Sequence, residues 1–145
     1  MKDEPGCYEF LPHTADAKFK AYGKSMDDCF RNAARAMFVI MTDIEAVRPA
    51  LRFPIRLKAS NRQAALFDFL DRLIFLLDTE GFLLHDCEQM RVTRNCDGTY
   101  WVTGEAVGDF HRGYDVGGNV KAVTYNDMTF ERKDDQWECQ VVVDI

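Results

Sequence analysis

Long apolar runs are missing from this 145-residue chain: the two longest, residues 36–41 and 73–77, fall far short of a bilayer span, which takes about 20 residues. A basic excess is missing too. Lys plus Arg number 18 against 24 Asp plus Glu, for a formal charge of −6, which argues against a protein that wraps a phosphate backbone and predicts no strong direct binding to nucleic acid. The five cysteines, Cys7, Cys29, Cys87, Cys96 and Cys139, include no pair at two-residue spacing, so neither a zinc knuckle nor a disulfide framework fits. The start of the chain, with Asp3 and Glu4, lacks the basic and then apolar character of a secretion signal. These absences together predict a cytoplasmic protein with reduced thiols and no membrane association.

Catalytic signatures are absent as well. The sequence holds no Gly-rich loop ending in Lys-Ser or Lys-Thr, no GxGxxG and no GxSxG. Its three histidines, His13, His85 and His111, are scattered without metal-ligand spacing on a helix. What is present is a soluble, globular composition, 47% hydrophobic and 29% charged, of a length that predicts one domain over residues 1–145.

Residues 7–11 and the alternating 17–22 read as two strands around the loop His13-Thr14-Ala15-Asp16. Ser25 with Asp28 forms a capping box before a helix to about residue 42, with Arg31, Asn32 and Arg35 on its wet side. Residues 47–59 read as an edge or bent strand, since Pro49 and Pro54 cannot donate to a ladder. Ser60 and Gln63 predict a second capping box, and a second helix then runs to Glu80 with Gly81 as its left-handed stop. Phe67, Phe69, Phe75 and Leu76 widen its apolar arc, so the helix is either buried on two sides or shows some surface to a partner. Two hairpins follow, 82–94 with 99–107 and 120–132 with 136–143, separated by the glycine-rich loop 108–118. The predicted architecture is α+β, two amphipathic helices packed on antiparallel β-sheet.

The C-terminus stands out. The run Val141-Val142-Val143 fixes a strand that carries Asp144 and the carboxylate of Ile145 to its end, where many chains finish in a loose tail. Either Ile145 is placed for packing or the two anions serve a ligand. Asp16, at the mouth of a strand, offers a third carboxylate. Three carboxylates brought within about 5 Å repel by roughly 3 kcal/mol per pair at an effective dielectric of about 20, so such a cluster demands a cation, a proton or a basic partner. All-oxygen ligation suits a hard divalent metal ion, calcium first, then magnesium or manganese.

The blocks Tyr8-Glu9-Phe10-Leu11-Pro12-His13-Thr14-Ala15-Asp16, Ala36-Met37-Phe38, Met41-Thr42-Asp43, Val120-Lys121-Ala122-Val123-Thr124-Tyr125 and Val142-Val143-Asp144-Ile145 resemble the archease family over nearly the whole chain. The resemblance implies a non-enzymatic activator of the RtcB-type RNA ligase that joins tRNA exon halves after taking guanylate from GTP onto a histidine. Family members promote that guanylylation, permit repeated turnover and broaden nucleotide use. It also implies a divalent metal at the matching positions Asp16, Asp144 and Ile145, with His13 supporting Asp16 and Lys121 acting as counter-charge, partner contact or plain cross-strand neighbour. Where the family commonly shows a histidine and a glutamate in the loop before the Val-Lys-Ala block, this chain has Tyr114 and Asn119, with His111 the nearest substitute. Two other readings are a chaperone-like partner of RNA-modifying enzymes such as tRNA methyltransferases, working through the flank around Phe75, and a metal-dependent hydrolase. The hydrolase lacks a general base or nucleophile beside the carboxylates.

Overall fold

Strand register, more than any one helix, sets the positions that matter here. The computed structural model describes residues 2–12 and 15–145. A four-stranded antiparallel sheet runs in the spatial order β1 (Tyr8–Leu11), β2 (Asp16–Gly23), β7 (Gln136–Asp144), β6 (Ala122–Lys133). A three-stranded antiparallel sheet runs β3 (Leu51–Ala59), β5 (Tyr100–Phe110), β4 (Phe82–Arg94). With the helices α1 (Met26–Val39) and α2 (Arg62–Glu80) this is the expected α+β class, divided into two sheets. The last strand pairs with β2, leaving β1 as the outer edge, and β3 is an edge strand as its prolines predict.

Alternation fixes the faces. Along β2, Ala17, Phe19, Ala21 and Gly23 are buried while Asp16, Lys18, Lys20 and Tyr22 turn to the other side. Ser25 accepts from the Asp28 amide at 3.1 Å and opens α1. The cap of α2 is Asn61, whose side-chain oxygen accepts from the Ala64 amide at 2.9 Å. That corrects the Ser60–Gln63 box by one residue, because asparagine caps as well as serine and here stands directly before the first helical turn. Gly81 stops α2 in the left-handed region at φ 66°.

The wet side expected for α1 is also corrected. Asn32 and Arg35 are buried, at 6% and 7% exposure. The reason is topological: α1 packs against β2 and β7 of one sheet and β4 of the other, so only a narrow arc reaches solvent. Asn32 donates to the Tyr22 carbonyl at 2.7 Å. Arg35 pairs with Glu4 at 2.9 Å and Glu45 at 3.2 Å, and its Nε lies 3.9 Å from Asp86. Asp86 is in turn gripped by Arg31 through two hydrogen bonds of 2.8 and 2.6 Å. This guanidinium pair fastens the N-terminal segment, the 3-10 turn Ile44–Ala46 and β4 to one helix.

The apolar arc of α2 resolves into burial with one exception. Phe69 and Leu76 are buried and Phe67 stacks on Tyr125 with ring centres 4.2 Å apart, but Phe75 is 59% exposed. In the small sheet, β5 comes close to β4 at Gly108, where a Cβ would stand 1.8 Å from the Leu83 carbonyl oxygen and 2.9 Å from the Phe82 ring. Neither neighbour can retreat without breaking strand pairing. Gly108→Ala is therefore expected to destabilise the protein by about 3 kcal/mol, at the upper end for overpacking, read as a lowered midpoint of urea unfolding. A midpoint within error of wild type would show that the strands part more easily than their register implies.

Candidate metal centre

Asp16 opens β2 and Asp144 closes β7, and the two are direct cross-strand partners in the antiparallel ladder. Such partners share a face, with Cβ atoms about 5 Å apart, and like charges there are unfavourable unless something compensates them. Asp16 is half-buried and Asp144 exposed. The same ladder buries Val141, Val142 and Val143 completely, so the carboxylate of Asp144 hangs on the end of a rigid strand. Ile145 is 43% exposed, which removes core packing as the reason for its placement.

The surroundings hold Asp144 from both sides. Ala122 of β6 is its partner on the flank away from Asp16, and the Lys121 amide donates to the Asp144 carbonyl at 2.8 Å. The Lys121 side chain is exposed. Lys18, two residues along the face from Asp16, is engaged elsewhere: its ammonium lies 3.5 Å from Asp127. Asp127 sits at φ 52° in an irregularity of β6 between Thr124 and Thr129, held there by the Gln140 side-chain amide, which donates to its carbonyl at 2.8 Å. His13 lies outside the described residues.

The glycine-rich segment is shorter and better anchored than its composition suggests, since β5 continues through Phe110. The Thr42 hydroxyl donates to the Asp115 carbonyl at 2.8 Å and the Gly117 amide to the Met41 carbonyl at 2.8 Å. Tyr114 donates its hydroxyl to Asp109 at 2.6 Å and accepts from the Arg48 amide at 3.2 Å. The Tyr114 hydroxyl and the Phe110 amide together hold the Asp109 carboxyl below the usual carboxylate range. Tyr114 thus ties the loop to the end of β5 and to the segment that leads into β3. His111 is exposed and gives its amide to the Gly81 carbonyl. The block Met41-Thr42-Asp43 has a matching role: Met41 and Thr42 receive the loop, and Asp43 caps the 3-10 turn by accepting from the Glu45 amide at 3.2 Å. From α1 through this loop to Lys121, backbone bonds lead to Asp144. Tyr114 and Arg35 carried no sequence signal beyond their type, because Arg48 lies 66 residues from Tyr114, and Glu4 and Asp86 lie far from Arg35 in sequence.

Cysteine chemistry finds no support in these surroundings. The contact with Cys139 and then burial push the Cys29 thiol up, and burial pushes that of Cys87 up, the opposite of what a nucleophile needs. For a metal, the donor set at the sheet end is all oxygen, which fits a hard divalent ion and not zinc. Among the described residues no cluster of three or more His, Cys, Asp or Glu side chains exists. A metal held at the Asp16–Asp144 pair would therefore need a further donor.

Comparison with known proteins gives one consistent result. Residues 8–145 match the model of the Archease protein family. Protein archease of Methanosarcina barkeri is 35% identical over 147 residues, covering 100% of both chains. That of Methanothermobacter thermautotrophicus is 36% identical, covering 95% of this chain and 98% of the relative. The solution structure of Methanobacterium thermoautotrophicum protein 1598 superposes with a TM-score of 0.81 at 33% identity, covering 95% of this chain and 98% of that one. No helix among the described residues is long and apolar enough to cross a membrane.

Proposed function

The chain belongs to the archease family, and from that premise we propose that it activates an RtcB-type tRNA-splicing RNA ligase, promoting ligase guanylylation, repeated turnover and broader nucleotide use. The observation that carries the reading is the direct pairing of Asp16 with Asp144 at one end of the four-stranded sheet. Asp16, Asp144 and the carboxylate of Ile145 hold a divalent ion, calcium first, with magnesium or manganese as alternatives. Such an ion would neutralise the facing carboxylates and supply a hard cation to oxygen ligands. The chain's own residues do the rest. Buried valines fix the strand, the Lys121 amide holds the Asp144 backbone, and the exposed Lys121 ammonium meets the ligase beside the acidic tip. His13, three residues before Asp16 in the sequence and outside the described residues, is assigned the part of supporting it, in the manner of residues behind metal ligands.

Activation is a population shift: the tip binds the guanylylation-competent ligase more tightly than the idle form, and the shift is limited by that difference. Single-turnover guanylylation of the ligase measures it. The wild-type protein should raise the rate or extent by about 5- to 150-fold, the range of a 1–3 kcal/mol coupling, and Asp16→Asn should remove the effect. An unchanged rate with the wild-type protein would end the reading.

One observation favours a second reading, a chaperone-like partner of RNA-modifying enzymes such as tRNA methyltransferases. Phe75 projects from α2 beside a concavity lined by Phe53, Leu57 and Leu76 and by the charged Lys58, Asp68, Asp71 and Arg72. Phe75→Ser separates the two readings: loss of partner stabilisation with ligase activation intact supports the second.

A further inference from the structure

Although the chain is acidic, Arg56, Lys58 and Arg91 share the outer face of the three-stranded sheet. The register places Lys58, Trp101 and Thr93 in one cross-strand row and Arg56, Thr103 and Arg91 in the next. Their neighbours along the strands, Ile55, Val102 and Val92, point into the core, so these six side chains share the solvent face. Arg56, Lys58 and Arg91 are exposed. The Arg56 guanidinium lies 5.1 Å and the Lys58 ammonium 5.7 Å from the Trp101 ring centre.

The acidic groups nearby are mostly committed. Arg52 takes Glu88 at 2.6 Å and Glu105 at 3.6 Å. Asp27 accepts from the Val92 amide at 2.7 Å. Asp97 is held by Thr99 and only secondarily felt by Lys58. Among the described residues none of Arg56, Lys58 and Arg91 forms an ion pair, and Arg56 and Arg91 border a shallow concavity of about 680 Å³ that extends from the rows toward Gln89.

We propose that this face binds a single-stranded polynucleotide, with one base stacked on Trp101 and successive phosphates met by Arg56, Lys58 and Arg91. Three unpaired cations call for anions. An aromatic ring on a sheet face offers what a base can use and a carboxylate cannot. The rows span two inter-strand gaps, about 10 Å, the width of one extended strand and not of a folded partner. Arg56 and Lys58 cover the ring on long, mobile side chains and can swing outward as a base arrives, exchanging a cation–π contact for a phosphate. This site is separate from the carboxylate pair and stands whether or not that pair holds an ion. It also refines the expectation drawn from net charge: affinity is local and modest.

Fluorescence anisotropy with a labelled oligouridylate tests the proposal, with oligothymidylate and polyglutamate as parallel arms. The expected Kd is on the order of 10 μM at about 50 mM salt, and log K should fall with log salt at a slope of about −2, three phosphates at about 0.7 each. The triple variant Arg56→Ala, Lys58→Ala, Arg91→Ala should abolish the salt-dependent binding. Trp101→Ala should weaken it about tenfold and Trp101→Phe far less, with melting temperatures recorded for every variant. A ribose preference assigns RNA as the ligand, and equal affinity assigns either strand type. No binding at low salt, binding unaffected in the triple variant, or polyglutamate competing as well as the oligonucleotide would each overturn it.

Discussion

Asp144→Asn is expected to abolish the calcium-dependent rise in melting temperature that the proposed ion site predicts, while ion-free stability stays within about 1 kcal/mol of wild type. The first half follows from linkage: an ion that binds only the folded chain stabilises it by about 2.7 kcal/mol at 100 times its Kd, which for a chain of this size raises the midpoint by about 8 °C. The second half follows from exposure. Asp144 sits at the sheet end, outside the core, and an asparagine there keeps shape and backbone bonding while removing one of two facing charges. Scanning calorimetry with calcium and with a chelator reads both. A calcium response that survives Asp144→Asn would remove this residue from the ion's donors.

The second large effect lies far from that pair. Arg35→Ala should cost about 3 kcal/mol, the scale for removing one member of a buried ionic cluster, because Arg35 ties α1 to Glu4, Glu45 and Asp86 at once. Urea denaturation followed by circular dichroism reads the loss, and a midpoint unchanged by the substitution would refute the role. The same cluster predicts an acid limb. Burial alone would raise the Asp86 carboxyl, but the Arg31 hydrogen bonds and the Cys87 amide outweigh it and hold the group below its ordinary range. A carboxyl depressed in the folded state adds stability that is complete above its unfolded pKa, about 3.9, and is lost as pH falls through the folded value. Wild-type stability should thus fall more steeply below about pH 4 than that of Asp86→Asn. Parallel acid limbs would assign the loss to other carboxylates.

Much of this was legible before any coordinates. The alternation of β2, with its odd-numbered residues apolar, the continuous valine run of β7 and the turn chemistry of the hairpins each announce strands, and they put Asp16 and Asp144 at strand ends; that the two ends meet is shown by the register. What remained hidden depended on which elements meet. Asn32 and Arg35 read as solvent-facing because a helix with polar residues on one side ordinarily has a wet face; the second sheet covers that face, and only the topology reveals it. Tyr114 read as a departure in a flexible loop, yet its hydroxyl reaches Arg48, 66 residues earlier in the chain. The shift of the α2 cap from Ser60 to Asn61 has a different origin, since adjacent residues with equal capping ability leave the choice to backbone geometry. Net charge also averages over local arrangement: a total of −6 conceals a sheet face on which Arg56 and Lys58 lie over Trp101 and Arg91 stands in the neighbouring row.

The proposed activation rests on the anionic tip that Asp16 of β2 and Asp144 of β7 form, with the Ile145 carboxylate proposed as its third member. Multiple-turnover RNA ligation by the ligase, stimulated either by the protein ending at Ile145 or by a version carrying a few appended residues, tests that most directly. Appending residues converts the Ile145 carboxylate to an amide and leaves the Asp16–Asp144 pair and the core intact. The account predicts that the extended protein folds with an unchanged melting temperature in chelator and fails to sustain turnover. Equal stimulation by the two proteins would contradict it.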